Sequence, residues 1–96
     1  TYEPVEAAVA MSPNPFTVAT AVAVTIPEAG AYSVAVYDVR GNLVTTLASG
    51  DFAKGVLRLT WNGTDANGNA LPAGIYFCRL EGNGIGSVTT KVLLER

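Results

Sequence analysis

The sequence contains no histidine. This removes the commonest general base and the commonest metal ligand together. It has one cysteine, Cys78, so no disulfide can close within the chain. Charge is sparse: six Lys and Arg against eight Asp and Glu, a net charge of −2. The basic residues are scattered from Arg40 to Arg96 with no cluster. That excludes the electrostatic footprint of a nucleic-acid or anionic-membrane binder. No apolar run approaches the ~20 residues a membrane-spanning helix needs. No basic start followed by an apolar stretch reads as a signal peptide, so an export signal is expected on a longer parent. Ser12, Ser33, Ser49 and Ser87 have no histidine to activate them, and Glu3 and Glu6 lie in a chain end. Nothing meets the demands of a nucleophile–base pair or a two-carboxylate site. The expectation is a domain that is not an enzyme and needs no cofactor.

What is present suffices for one folded domain. The chain has 96 residues, of which 49% are hydrophobic, and the mean hydropathy is +0.30. A chain with that apolar content is not disordered. The apolar residues repeat with period two, the strand period. Val22, Val24 and Ile26 alternate with Ala21, Ala23 and Thr25 before Pro27 and Gly30. Tyr32, Val34 and Val36 alternate next, and Asp38-Val39-Arg40-Gly41-Asn42 reads as a turn into a short strand over Leu43–Leu47. Ala48–Gly55 reads as a loop. Leu57, Leu59 and Trp61 share one face of a further strand, and Asn62–Gly74 is a long polar connection. Tyr76, Cys78 and Leu80 share a face of the next strand, Gly82-Asn83-Gly84 reads as a tight turn, and Val88–Leu94 is the last strand.

Residues 1–11 are expected to be a linker end that frays at Thr1–Pro4, followed by an edge strand over Val5–Met11. Residues 12–96 are expected to form the domain: an all-β, immunoglobulin/fibronectin-III-like antiparallel β-sandwich of about seven strands. The expected core is Val24, Ile26, Val34, Val36, Leu59, Trp61, Tyr76 and Leu80. No repeat or low-complexity tract is visible.

Several constellations invite a functional reading. Asp65, Asn67 and Asn69 place oxygen ligands at alternate positions, as a calcium loop begins. They are weak metal candidates, because a later bidentate glutamate is lacking and Asx side chains bond their own backbone in such loops. Asn62-Gly63-Thr64 matches a glycosylation acceptor pattern and is read as a turn. Trp61, Tyr32, Tyr37, Phe52 and Phe77 offer aromatic surface for a sugar, but Trp61 shares its face with Leu57 and Leu59, which points to the core. Tyr76-Phe77-Cys78 has the spacing of a tyrosine corner in an immunoglobulin strand. Cys78 itself is read as a buried apolar filler.

Taken in order, the motifs resemble a family. They run Asn14-Pro15-Phe16, then Ile26-Pro27-Glu28-Ala29-Gly30, Val36-Tyr37-Asp38-Val39-Arg40-Gly41 and Lys54-Gly55. Trp61-Asn62-Gly63-Thr64-Asp65, the stretch Gly68 to Phe77, Arg79-Leu80 and Lys91 to Arg96 follow. This resembles the Ig-like domain of flagellar hook-capping proteins. It is also similar to the C-terminal sorting domains of proteins exported by the bacterial type IX secretion system. The resemblance covers roughly residues 12–96 and is firmest on architecture.

It implies a non-catalytic sorting or anchoring module of a secreted or cell-surface bacterial protein, reached through the periplasm and outer membrane. Such a module is covalently part of a larger upstream protein, and its partner is export or surface-attachment machinery. The motifs run to Arg96, as though it were the natural terminus. The alternatives are a structural assembly domain of a hook-capping-like protein, or a spacer or sugar-binding accessory domain of an extracellular enzyme. The expected recognition element is the last strand and tail: Lys91, Val92, Leu93, Leu94, Glu95 and Arg96. Val92 and Leu94 are expected to point into the core and Leu93 outward. An edge strand there would offer unpaired backbone groups for strand addition.

Overall fold

A computed structural model describes residues 7–82 and 86–95. Seven strands fill them: β1 (Ala8–Ser12), β2 (Thr20–Ile26), β3 (Gly30–Tyr37), β4 (Leu43–Phe52), β5 (Gly55–Trp61), β6 (Gly74–Gly82) and β7 (Gly86–Leu94). They form two antiparallel sheets, a three-stranded one in the order β1-β2-β5 and a four-stranded one in the order β4-β3-β6-β7. The chain is an immunoglobulin-like β-sandwich. Among the described residues no helix is long and apolar enough to cross a membrane.

The alternation read from the sequence sets the inner faces. Val22, Val24, Val34, Val36, Cys78, Leu80 and Val92 have no exposed surface, and Ile26 and Leu94 almost none. Burying such a side chain contributes roughly 1.5–3 kcal/mol. β1 is built into the three-stranded sheet through its pairing with β2, and it contributes Val9 and Met11 to the core. Thr90 Oγ1 donates to Val9 O at 2.8 Å, tying β7 to β1 across the sandwich.

Two features depart from the sequence reading. β4 runs on to Phe52 instead of stopping at Leu47. Gly50 and Asp51 carry turn chemistry, but they pair with Tyr32 and Ala31 of β3. Continued pairing along a long neighbour outweighs their local preference. The register slips twice along this hairpin, between Val34 and Ala35 and between Val36 and Tyr37. Such irregularities disrupt an edge and turn Val44 and Leu47 against the core. Second, Leu59 is only half-buried, as is Leu57. β5 ends its sheet, so its inward side chains are covered on one flank only. The polar stretch after Trp61 is a connection between β5 and β6, as expected, and its turns are described below. The expected Gly82-Asn83-Gly84 turn and the fraying at Thr1–Pro4 fall outside the described residues.

Gly82 has a specific reason to be glycine. It faces Tyr32 across the β3–β6 pair. A Cβ there would run into the Tyr32 ring. The ring lies in the space a side chain would need.

Candidate functional site

Several of the family-like motifs, Asn14-Pro15-Phe16, Trp61, Tyr76 and the last strand, meet at the outer edge of β7. There the segment Asn14-Pro15-Phe16 lies along the last strand as a clasp. The Asn14 side-chain amide substitutes for a backbone amide. Its Nδ2 donates to Lys91 O at 2.9 Å and its Oδ1 accepts from Leu93 N at 3.0 Å. Phe16 N then donates to Leu93 O at 3.0 Å, and Glu95 N donates to Phe16 O at 2.7 Å. Phe16 thus makes a parallel bridge to Leu94. Pro15 between them has no N–H to leave unsatisfied.

The clasp is anchored from below by aromatic packing. Phe16 is buried and its ring centroid lies 5.4 Å from that of Trp61, tilted by 57°. Trp61 meets Tyr76 edge-on at 5.4 Å. Offset and edge-on pairs of this kind are favoured by the ring quadrupoles. The Trp61 indole N–H donates to Thr64 O at 3.0 Å, and Thr64 Oγ1 donates to Asn62 Oδ1 at 2.6 Å. The residues of the acceptor pattern therefore bond one another within the loop. With Trp61 and Tyr32 buried, the proposed sugar platform loses its centre. Tyr37 and Phe77 remain side by side and half-buried on the outer face, with the Arg79 guanidinium 4.6 Å over the Tyr37 ring.

The predicted recognition residues lie as follows. Val92 and Leu94 are buried, Leu93 is half-buried on the outer face, and Lys91 and Glu95 are exposed. Arg96 lies outside the described residues. Leu93 faces Ile75, and Lys91 faces Phe77, across the β6–β7 pair. β7 is an edge strand, as expected. Its outer backbone from Lys91 to Glu95 is nevertheless engaged, because the clasp uses Lys91 O, Leu93 N, Leu93 O and Glu95 N. Simple strand addition at this stretch would have to displace Asn14 and Phe16. The side chains of Lys91 and Leu93, with Ile75 and Phe77, are what this end presents outward.

Two local devices each occur twice; the sequence reading named one copy of each, the Asx loop at Asp65 and the tyrosine corner at Tyr76, and missed the second. In Asp38–Asn42 the Asp38 Oδ1 accepts from Arg40 N and Asn42 N, both at 2.9 Å, and Gly41 N donates to Asp38 O. In Asp65–Asn69 the Asp65 Oδ1 accepts from Asn67 N at 2.9 Å and Asn69 N at 3.0 Å, and Gly68 N donates to Asp65 O. Gly41 and Gly68 both have φ of 83°, a conformation that glycine takes without cost. The shared Asp-x-x-Gly-Asn spacing was the available signal. Asp65 Oδ1 is thus occupied by two backbone amides of its own loop. The Asp38 carboxyl is held below its ordinary value, chiefly by the Asn42 N–H; desolvation opposes the shift, and the Arg40 N–H adds to it.

The second device is the tyrosine corner. Tyr76 OH donates to Pro72 O at 2.7 Å. Tyr32 OH donates to Glu28 O at 2.7 Å, the same four-residue span. Each tyrosine follows Ala-Gly-x, at residues 29–31 and 73–75. Cys78, on the same strand as Tyr76, is buried in the core with no exposed surface, and desolvation pushes its thiol up to about 11. It is a neutral filler at neutral pH.

The arrangement defines a class, an Ig-like sandwich whose diagnostic residues build one aromatic-anchored clasp and two Asx loops. The FlgD Ig-like domain family model matches residues 12–84, and the chain belongs to that family. A search of curated proteins returned no match. Among solved structures, the chain is similar to PorZ of Porphyromonas gingivalis, described as an essential bacterial surface component of the type-IX secretion system. The likeness has a TM-score of 0.59 at 23% identity and covers 92% of this chain. It covers 11% of the PorZ chain, so this domain spans about a tenth of that protein's length.

Proposed function

We propose that this domain is a non-catalytic sorting or anchoring module of a secreted or cell-surface bacterial protein, engaged by type IX-like export or attachment machinery. The observation that carries the reading is the clasp. The diagnostic Asn14-Pro15-Phe16 segment is spent on holding the last strand in place, and that strand carries the expected recognition element. The clasp moves recognition away from the strand's backbone. The outward face around Lys91, Leu93, Ile75 and Phe77 is the surface a receptor would read. Similarity to a surface component of a type IX system supports the setting. Membership of the FlgD Ig-like family supports a second reading, a structural assembly domain that joins to neighbouring domains and directs no export.

The test is fusion of the 96 residues to a periplasm-directed reporter in a host with the type IX machine. Reporter on the cell surface or in the medium supports sorting. Reporter retained in the periplasm, with the domain folded, removes the sorting reading and leaves the structural one.

A further inference from the structure

The three-stranded sheet leaves one flank of the sandwich open. β5 ends that sheet, and among the described residues no strand lies beyond it. The two sheets meet with β1 against β7 on one flank and β5 against β4 on the other. On the β5 flank the inward side chains are incompletely covered: Leu57 and Leu59 from β5, and Leu47 and Phe52 from β4, are all half-buried. Residues in the middle of the sandwich, such as Val24 and Val36, are fully covered. A hollow of about 270 Å³ opens at the same flank, bounded by Phe52, Lys54 and Leu57 among others. Constant-type immunoglobulin domains place a fourth strand beside the equivalent of β5. Here the strand that precedes β5 pairs with β3 instead. The fold therefore has room for a strand at this position, with a backbone ladder that no described residue pairs on one side and an apolar strip beneath.

We propose that the free edge of β5 is a strand-addition site for an extended segment of a partner protein, with apolar residues at alternate positions and carboxylates between them. The apolar set would cover Leu57, Leu59, Leu47 and Phe52. The ladder would satisfy the outward amides and carbonyls of Gly55–Trp61. The carboxylates follow from the charges at the edge. Arg58 is exposed on the outer face of β5, Lys54 is exposed just before the strand, and no acidic residue lies within Gly55–Trp61. The same charge argues against a second copy as occupant. Two β5 strands paired antiparallel about their midpoint would set Arg58 against Arg58, and like charges directly opposite are destabilising. This site lies on the flank opposite the clasped strand and does not depend on the sorting reading.

The probe is a synthetic nine-residue peptide with valine at alternate positions and glutamate or threonine between, beside a twin with lysine for glutamate. Both are titrated into the domain while amide exchange is followed by NMR. The expected result is slowed exchange at the alternate β5 amides that face away from β2, with the glutamate peptide only. Arg58→Glu, an exposed change that leaves the core intact, should weaken that peptide about tenfold or more and favour the lysine twin. Absence of protection at β5, protection at another edge, equal binding of both peptides, or self-association of the domain through β5 would each overturn the proposal.

Discussion

Trp61 ties three of the sequence signals together. Its ring joins Phe16 of the clasp to Tyr76 of the tyrosine corner, and its N–H holds the loop that follows. Trp61→Ala is expected to cost about 3–5 kcal/mol, as large-to-small core changes do. A chemical denaturation midpoint unchanged by the substitution would contradict this. Gly82 offers the opposite experiment, since adding one carbon forces it against Tyr32. Gly82→Ala should cost about 1–3 kcal/mol through overpacking. The loss should shrink when Tyr32 is shortened in the same protein, so a double-mutant cycle reads the contact directly. Asp38 predicts a pH effect. Its carboxyl is lowered in the folded domain, so it favours folding above the unfolded-state value, about pH 4. That contribution is lost as pH falls through the lower folded-state value. Asp38→Asn should therefore flatten the acid limb of stability in urea melts from about pH 6 down to about pH 2.

At the scale of elements, strands were legible because period two survives burial on one face. Val22, Val24 and Ile26, or Tyr76, Cys78 and Leu80, can face only one way once one member is inside. The extension of β4 through Gly50 and Asp51 was not legible, because those residues locally favour a turn and only the partner β3 overrides them. The half-burial of Leu59 was hidden for a related reason: alternation gives the face of a strand, not its place in the sheet. The candidate site was legible in its parts. The inward and outward sense of Val92, Leu93 and Leu94 followed from alternation. That Asn14 would bond Lys91 and Leu93 could not be read, since the contact spans 77 and 79 positions. The clasp yields its own prediction. Asn14→Ala removes a bidentate contact to β7 and should speed amide exchange at Leu93, with Glu95 following as Phe16 loosens. An overall stability loss of about 1–2 kcal/mol is expected. Unchanged exchange at both amides would mean the clasp does not protect the edge.

At the scale of the whole molecule, the two flanks of the sandwich differ in kind. The β1–β7 flank is closed by Thr90 Oγ1 and by the clasp. The β4–β5 flank carries register slips on one strand and, among the described residues, an unpaired ladder on the other. The clasp residues on the closed flank maintain the fold by holding β7 in place. Whether the same flank also addresses a receptor is the account's central claim. The most direct measurement is reporter export in a type IX host, comparing a surface variant, Lys91→Glu with Leu93→Ser, against a core variant matched to it in measured stability, such as Val24→Ala. The account predicts that the surface variant loses export while the core variant retains it. Equal export by the two variants, or equal loss, would show that only folding is being read and would contradict a recognition role for the last strand.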